Sequence, residues 1–345
     1  MASDSRAVAD DVRKDVRDTA GTPPKRPGGG GFKSSPRYRT FVKYRFISGF
    51  LVVPLVLYAI LVISPFLQTF YYSLTDWTGY SSDFSVIGFD NFSKLLDDDL
   101  FWQSLQHNIV LLIGMPLLAL GLGLFFAFML NVGGRHKRGE AASGVRGSKL
   151  YKILYFFPQV LSIAIVAVLW QNIYNPQGGL LNGVLTGVGL DSWEQNWLGD
   201  PGIALMCVLV VMVWANVGFY VVLFSAAMGS IPKEIYEAAL LDGANRVTTF
   251  FRVTLPLIRD NIQTSYVYAG IMALETSFAY VMIMTVNQGG PDHSTLVLPV
   301  HMYNKAFRDG QAGYATAVGV SMLVVTMIFA VLALSIGRRR DRLEF

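Results

Sequence analysis

A carboxylate within a long apolar stretch is the first residue of this sequence whose type could do chemistry. Glu275 lies in such a stretch, one helical turn from Phe278 and near Tyr280. A charge inside a membrane-length apolar run is costly, so it is a candidate functional group by default. A carboxylate beside aromatic rings can hydrogen-bond the hydroxyl groups of a sugar, or it can form a bond between helices of two chains. Both interpretations remain open from the residues alone.

A second polar pair, Asn216 and Tyr220, lies in another apolar run. Residues four apart share one face of a helix, so these two side chains would point in the same direction. Together with Glu275, they are candidates for lining a substrate pathway between the helices. The alternative is that they form structural hydrogen bonds between helices.

The sequence does not predict a metal or nucleotide site. Its four histidines are spread over three polar segments without the spacing of zinc ligands. The basic stretch from Gly144 to Lys149 lacks the spacing of a phosphate-binding loop, which aims backbone amides and a lysine at the same phosphates. We therefore expect no catalytic residue, no metal and no cofactor in this chain.

The composition is that of a membrane protein. Of the 345 residues, 52% are hydrophobic and 15% are charged, against roughly 25% charged in a soluble domain. A helix needs about 20 apolar residues to cross the hydrocarbon of a bilayer. Six stretches have this length, and Glu275 is the one ionisable residue inside them. They run over residues 46–68, 108–130, 153–172, 203–228, 262–286 and 314–336.

The fold class predicted from these runs is an all-α integral membrane bundle with six transmembrane helices. Transmembrane β-strands would instead show segments of about ten residues with strict alternation. Twenty-five of the 28 Lys and Arg residues lie in the first 45 residues, the second and fourth loops and the C-terminal segment. Basic residues that flank spans stay in the cytoplasm, so both termini are predicted to be cytoplasmic.

The fourth loop, residues 230–258, carries the most informative pattern. Pro232 suits the first turn of a helix, since its missing N–H would have no partner there. Apolar and small residues then recur at helical spacing up to Asp242. Gly243 can take the positive φ that ends a helix. A second helix is predicted from about Asn245 to Val253, with its end at Pro256. Two short helices with a sharp bend suit insertion into a groove of a partner.

The spacing within this loop is specific. It reads Glu237-Ala238-Ala239, three residues, Gly243, nine residues, Val253, one residue, Leu255-Pro256. This resembles the EAA loop of permease subunits of binding-protein-dependent ABC importers. The resemblance implies that Glu237 contacts a cytoplasmic ATPase, that Ala238 and Ala239 pack in its cleft, and that Gly243 allows the bend after Asp242. The alternative is an amphipathic helix on the bilayer surface.

Four further stretches narrow the resemblance. Residues 288–295, 303–307 and 312–315 are similar to the outer loop of carbohydrate permeases of the maltose transporter class, and residues 89–108 resemble the start of the same domain. That class often has an aromatic-Asp pair before the glycine-rich turn, whereas this chain has Tyr280-Val281 and Asn287. The implied fold is a type I ABC importer transmembrane domain.

The predicted organisation has four parts. Residues 1–45 form a disordered basic cytoplasmic tail, and residues 46–104 form the first transmembrane helix and an extracytoplasmic loop. Residues 105–336 form the ABC transmembrane domain, and residues 337–345 form a basic tail.

The resemblance implies an importer subunit of the bacterial cell membrane that takes up a mono- or oligosaccharide and is not itself an enzyme. Its partners would be a second homologous permease, two copies of an ATPase that hold ATP and Mg²⁺, and an extracytoplasmic sugar-binding lipoprotein. A different cargo within the same family remains an alternative. An intramembrane hydrolase is a weaker one, since the sequence contains no Gly-x-Ser-x-Gly or His-Glu-x-x-His pattern.

Overall fold

The structure, a computed structural model, describes residues 36–132 and 147–341. These residues are mainly helical. Within the described ranges there is no β-sheet, and the β-pairing consists of an isolated bridge between Thr75 and Val86. The all-α fold class is therefore confirmed. The first helix begins at Pro36, ten residues before its predicted start, and a proline suits the first turn of a helix. The rest of the predicted N-terminal tail, and residues 342–345, lie outside the described residues.

Fourteen α-helices make up the described chain, and we number them in chain order. They are α1 (Pro36–Tyr58), α2 (Ser64–Tyr72), α3 (Asp90–Leu96), α4 (Asp99–Val132), α5 (Ser148–Val160), α6 (Ile163–Ile173), α7 (Leu180–Gly187), α8 (Ala204–Gly229), α9 (Lys233–Leu241), α10 (Arg246–Thr249), α11 (Leu255–Leu257), α12 (Arg259–Met284), α13 (Leu298–Phe307) and α14 (Ala312–Asp341). Five-residue π-helical turns join α1 to α2 (Ala59–Ile63) and α10 to α11 (Phe250–Thr254).

The described part of the chain divides after Pro65 into two units. In the first unit, the side chains of residues 43–63 are exposed, and most of them are apolar. Such a surface is stable in a bilayer or against another apolar surface. The second unit contains the hydrophobic core, in which residues from α4, α6, α8 and α12 pack together.

Within residues 36–132 and 147–341, five helical segments are long and apolar enough to cross a membrane: Lys43–Tyr72, Asp99–Asn131, Ala204–Gly229, Arg259–Met284 and Ala312–Ser335. The predicted third span, residues 153–172, is not one straight helix. It is split into α5 and α6, which meet at an angle of 96°. Pro158 lies just before the break, Leu161 is extended, and the Ser162 hydroxyl caps α6 by accepting from the Ile165 N–H at 3.4 Å. Counting this bent pair as one span gives the predicted six.

A close helix crossing fixes α5 against α8. Gly218 of α8 is buried against the backbone of α5, and a Cβ atom at this position would overlap the carbonyl oxygen of Tyr155. Small residues let helix backbones approach closely in membrane proteins. Gly218 therefore sets the separation of the two helices.

The first and fifth loops meet at one end of the bundle, which we call the outer end. The Asn91 side chain is buried and donates to the carbonyls of Ser73 and Thr75 at 3.0 and 2.7 Å. Asn108 accepts from the Leu298 N–H at 2.6 Å, which ties α4 to α13. These contacts explain structurally the polar residues in the stretch 89–108.

The opposite, inner end holds the fourth loop and the ends of α4 and α8. Asn131 donates to the Ser225 hydroxyl at 2.9 Å and accepts from the Lys152 ammonium group at 3.3 Å. Phe128 of α4 packs on Phe250 of the fourth loop. The first and fifth loops therefore lie at the end opposite the fourth loop, as the distribution of basic residues requires.

Candidate coupling and substrate sites

The fourth loop folds as a helix, a sharp turn and a second helical segment. Helix α9 follows Pro232, and Gly243 ends it with φ of +78°. The Gly243 N–H donates to the Leu240 carbonyl at 3.1 Å, and the Ala244 N–H donates to the Ala239 carbonyl at 2.9 Å. This closure needs a residue that tolerates positive φ, which explains a glycine at this position.

The second segment starts at a side-chain cap and is anchored to α9. Asn245 accepts from the Thr248 N–H at 2.8 Å. The helical path then continues through the π-turn and past Pro256 to Leu257, so it ends slightly later than predicted. Buried Tyr236 of α9 meets the Thr254 hydroxyl at 3.5 Å. The two halves of the loop therefore pack against each other.

The predicted coupling residues do not all face the same way. Glu237, Ala238, Asp242 and Gly243 are exposed at the inner end. Ala239 is 9% exposed, so its side chain is largely covered within this chain, and its packing in the cleft of an ATPase stays a prediction. The helical spacing explains this, because residues one apart point about 100° away from each other.

An apolar side chain completes the exposed surface of the turn. Leu241 is 89% exposed at the end of α9, although the sequence pattern singled out the alanines. The sequence signal for an exposed Leu241 was its position as the last apolar residue before the glycine that ends the helix. The surface formed by Glu237, Ala238, Leu241 and Asp242, which we call the coupling surface, combines two carboxylates with one large apolar side chain.

The predicted pathway residues separate into two groups. Glu275 and Phe278 of α12 line a cavity at the outer end, and Glu275 is exposed to it rather than enclosed by the chain. Tyr220 and Tyr280 are packed in the hydrophobic core and do not line this cavity. Asn216 is half-buried, and its amide donates to the Met212 carbonyl one turn earlier at 2.8 Å.

A polar network at the outer end was not predicted from the sequence. Asp98 accepts from the Tyr314 hydroxyl at 2.7 Å and lies 3.2 Å from Nε2 of His301. It also caps α4 by accepting from the N–H groups of Leu100 and Phe101. The sequence signal for the cap was an aspartate just before a long apolar run. Nothing in the sequence indicated that His301 and Tyr314, about two hundred residues later, would contact Asp98.

Burial and these contacts shift two pKa values. Desolvation raises the pKa of Asp98, but the hydrogen bond from Tyr314, the electrostatic interaction with the His301 ring and the backbone N–H donors outweigh it, so the pKa lies below its usual value. His301 is 2% exposed. Its desolvation lowers its pKa, and the nearby Asp98 only partly offsets this. His301 is therefore neutral near pH 7.

Residues 105–342 match the family described as the binding-protein-dependent transport system inner membrane component. The chain belongs to this family. It is a multi-pass membrane transport subunit and not an enzyme, since ATP hydrolysis in such systems is carried out by a separate ATPase.

Similar proteins come from several organisms. The chain is 44% identical to the diacetylchitobiose uptake system permease protein NgcF of Streptomyces coelicolor over 94% of this chain and 92% of that protein. It is 31% identical to the multiple sugar-binding transport system permease protein MsmF of Streptococcus mutans, over 84% and 94% of the two chains.

A solved structure shares the fold. A chain of a bacterial ABC transporter involved in the import of alginate superposes with a TM-score of 0.73 and 22% identity, covering 88% of this chain and 99% of that one. The predicted importer architecture is therefore confirmed at the level of the fold.

Proposed function

We propose that this chain is the sugar-translocating permease of an ATP-driven importer in a bacterial cell membrane. The observation that carries the proposal is the similarity along nearly the whole chain to a permease named for diacetylchitobiose uptake, at 44% identity. Other relatives are named for multiple sugars and for lactose. A disaccharide is therefore the cargo class that we propose, with diacetylchitobiose as the first sugar to test.

The proposed machine contains three kinds of partner. A second homologous permease completes the pathway, two ATPase copies bind at the inner end, and an extracytoplasmic binding protein delivers the sugar at the outer end. A solved alginate transporter in complex with a pentasaccharide-bound periplasmic protein has the same fold as this chain, which supports the binding-protein part. ATP and Mg²⁺ would be held by the ATPase, and this chain would hold no cofactor.

The coupling surface is the proposed contact with the ATPase. The chain ends α9 with a rigid closed turn, so Glu237 and Leu241 are held in fixed positions on an exposed helix. An amphipathic helix in a groove is a common mode of recognition. Closure of the ATPase dimer on ATP would move α9, and the packed second half of the loop would pass that motion to the bundle.

The residues predicted to contact the substrate differ in their exposure, so we propose different roles for them. Glu275 and Phe278 line an open cavity and are retained as sugar contacts. Asn216 is retained as a half-exposed polar group on α8. Tyr220 and Tyr280 are assigned a supporting role, because their rings are packed in the core.

Purification of the tagged chain from its native membrane in mild detergent tests this proposal. The expected result is recovery of a second permease and an ATPase, with ATP hydrolysis stimulated by diacetylchitobiose when the binding protein is added. Sugar uptake by proteoliposomes, measured on the same preparation, identifies the cargo.

The coupling step is tested by Glu237→Lys, which reverses a charge on the coupling surface. We expect uptake to fall at least about tenfold, because the reversed charge would weaken the contact between α9 and the ATPase. Asp83→Lys makes the same charge change on the exposed first loop and is expected to leave coupling unchanged. Normal uptake by Glu237→Lys would overturn the role of the coupling surface. Recovery of the chain without any ATPase, even after crosslinking through the fourth loop, would overturn the importer proposal.

A further inference from the structure

A groove of about 310 Å³ follows the inner half of the broken third span. Its lining comes from α5 and from one residue of α8: Lys152, Ile153, Phe156, Phe157, Val160 and Val222. Apart from the lysine, all of these side chains are apolar. At 1.5 Å per helical residue, the stretch of α5 from Lys152 to Val160 is about 12 Å long. We call this surface the inner groove.

Lys152 lies at the inner end of the groove. Its ammonium group donates to the Asn131 side-chain oxygen at 3.3 Å. The Asn131 amide in turn donates to the Ala127 carbonyl at 2.6 Å and to the Ser225 hydroxyl at 2.9 Å. Val160, at the other end of the groove, is the last residue of α5 before the bend. The groove therefore has a cation at the inner end of the bundle and an apolar wall that continues towards the middle of the span.

The charge of Lys152 is not balanced within the described part of the chain. Its hydrogen-bond acceptor is a neutral amide, and the ion pairs of residues 36–132 and 147–341 do not include it. An ammonium group has three donors, and the contact with Asn131 uses one of them. A charge this close to hydrocarbon is costly unless it meets a counter-charge. An anionic group at the inner end of the groove would supply that counter-charge.

More positive charge lies beside this end of the groove. Six of residues 135–152 are lysine or arginine, and one, Glu140, is acidic. Lys149 is exposed on α5 one turn before Lys152, and residues three apart in a helix are neighbours on its surface. Clusters of about four to eight basic residues immediately cytoplasmic of a membrane helix attract the acidic lipids of that leaflet. The basic segment and the apolar groove meet at Lys152.

The apolar part of the groove is open to the outside of the chain. Ile153, Phe157 and Val160 are each at least 60% exposed. A soluble anion such as phosphate would leave these side chains uncovered. An apolar helix of another subunit would cover them, but it would enclose the Lys152 ammonium group without a counter-charge. A phospholipid with a net negative headgroup fits both ends, because its phosphate meets the lysine and an acyl chain covers the apolar wall.

We propose that the inner groove binds one acidic phospholipid of the inner leaflet. Lys149 and Lys152 contact its phosphate. One acyl chain lies along Phe157 towards Val160. The lipid holds α5 from its open side, while the close crossing at Gly218 holds it from the side of α8. It thereby steadies the inner half of the broken span. This inference concerns the membrane and depends neither on the sugar nor on the ATPase.

Photocrosslinking in nanodiscs tests this site. The complete transporter is reconstituted into phosphatidylcholine nanodiscs that contain a small fraction of a lipid with a diazirine on one acyl chain. This lipid is phosphatidylglycerol in one sample and phosphatidylcholine in the other, so the two differ in headgroup and net charge but not in their chains. After illumination and digestion with pepsin, mass spectrometry quantifies the label on residues 153–160. We expect at least about fivefold more label from phosphatidylglycerol, because its net negative headgroup is attracted by the lysines.

Matched variants separate the charge from the groove. Lys152→Gln can still donate to Asn131 but has no charge, and it is expected to reduce the label from phosphatidylglycerol to the level of phosphatidylcholine. Lys152→Arg keeps the charge and should retain most of the label. Lys233→Gln removes an exposed lysine elsewhere at the inner end and should leave the label unchanged. Val222→Trp fills the apolar part of the groove, leaves both lysines in place, and is expected to reduce the label at least about threefold.

The outcomes distinguish a bound lipid from other occupants of the groove. Preferential label that both Lys152→Gln and Val222→Trp reduce supports the site. Equal label from the two lipids would mean non-specific contact with hydrocarbon, and a loss with Lys152→Gln but not with Val222→Trp would mean headgroup attraction without a bound chain. No label from either lipid would mean that another subunit covers the groove, and competition by excess inorganic phosphate would mean a soluble anion. Each of these four results overturns the proposal.

Discussion

The rings of Phe128 and Phe250 pack with centroids 4.6 Å apart, and this contact joins the inner half of α4 to the second half of the coupling loop. Phe128 is buried, and Phe250 packs against the same core. An aromatic pair of this kind contributes about 0.5–1.5 kcal/mol beyond the area it buries. The fourth loop is therefore attached to the bundle through its π-helical turn as well as through α8 and α12, which precede and follow it in the chain.

Phe250→Ala should weaken the transfer of motion from the ATPase to the bundle. We expect α9 to remain folded, so the ATPase should still copurify, but sugar uptake per ATP hydrolysed should fall severalfold. The measurement is the ratio of uptake to hydrolysis in proteoliposomes. Phe251→Ala is the matched control, since the neighbouring ring is 62% exposed. Equal ratios for the two variants would show that the ring contact has no part in coupling.

Leu241→Asp should disrupt binding of the ATPase. Leu241 is the large apolar group of the coupling surface, and a charge there would need to be desolvated in the partner's groove. We expect the amount of copurified ATPase to drop at least about tenfold, measured by quantitative gel or mass spectrometry. Leu257→Asp, at another exposed leucine of the same loop, should retain the ATPase. Loss of the ATPase with both variants would indicate a general effect of charge on the loop.

Local patterns in the sequence predicted the fold well. The helix-ending role of Gly243 and the proline before α9 follow from backbone preferences, and the number of spans follows from apolar length. The break at Leu161 and Ser162 was missed, because an apolar composition is compatible with a straight helix or with a bent one. The burial of Ala239 could not be predicted from the loop pattern, because the pattern gives spacing but not which helical face the chain itself covers.

Contacts between distant segments could not be predicted in this way. The partners of Asp98 are His301 and Tyr314, which follow it by about two hundred residues, and they meet only because α4, α13 and α14 converge at the outer end. The same holds for the residues that line the cavity beside Glu275 and Phe278. Glu275 was recognised because charge in a span is rare, whereas Trp77 resembles an ordinary aromatic residue near a membrane interface.

The Asp98 and His301 network should make the outer end sensitive to acid. Both pKa values lie below their ordinary values, so the unfolded chain takes up more protons than the folded chain as the pH falls. The contribution of His301 is complete above its ordinary pKa of about 6.5 and is lost below it, and that of Asp98 is lost below about 4. Lys305 also faces His301 and disfavours its protonation.

Thermal melting of the purified chain at pH 7.5 and 5.0 measures this dependence. The wild-type melting temperature should be lower at pH 5.0 by about 2 °C or more. His301→Gln removes the titrating group and should reduce this difference, whereas His293→Gln, on an exposed turn, should keep it. A wild-type chain that is more stable at pH 5.0, or a His301→Gln chain with an unchanged difference, would contradict the assignment.

Gly218→Ala should destabilise the crossing of α5 and α8. The added methyl group would overlap the carbonyl oxygen of Tyr155, and a backbone atom cannot move aside as the end of a flexible side chain can. Overpacking of this kind costs about 1–3 kcal/mol. We expect a lower melting temperature of the purified chain and a reduced yield from the membrane.

Gly229→Ala provides the comparison on the same helix, because a Cβ atom there would meet no other atom within 4 Å. Alanine has the higher helix propensity, so this variant should be as stable as the wild type or slightly more stable. If both variants melt at the wild-type temperature, α5 and α8 can move apart to accept the added methyl group. The bend between α5 and α6 would then not depend on the contact at Gly218. If only Gly218→Ala is destabilised, the close crossing holds the broken third span in place.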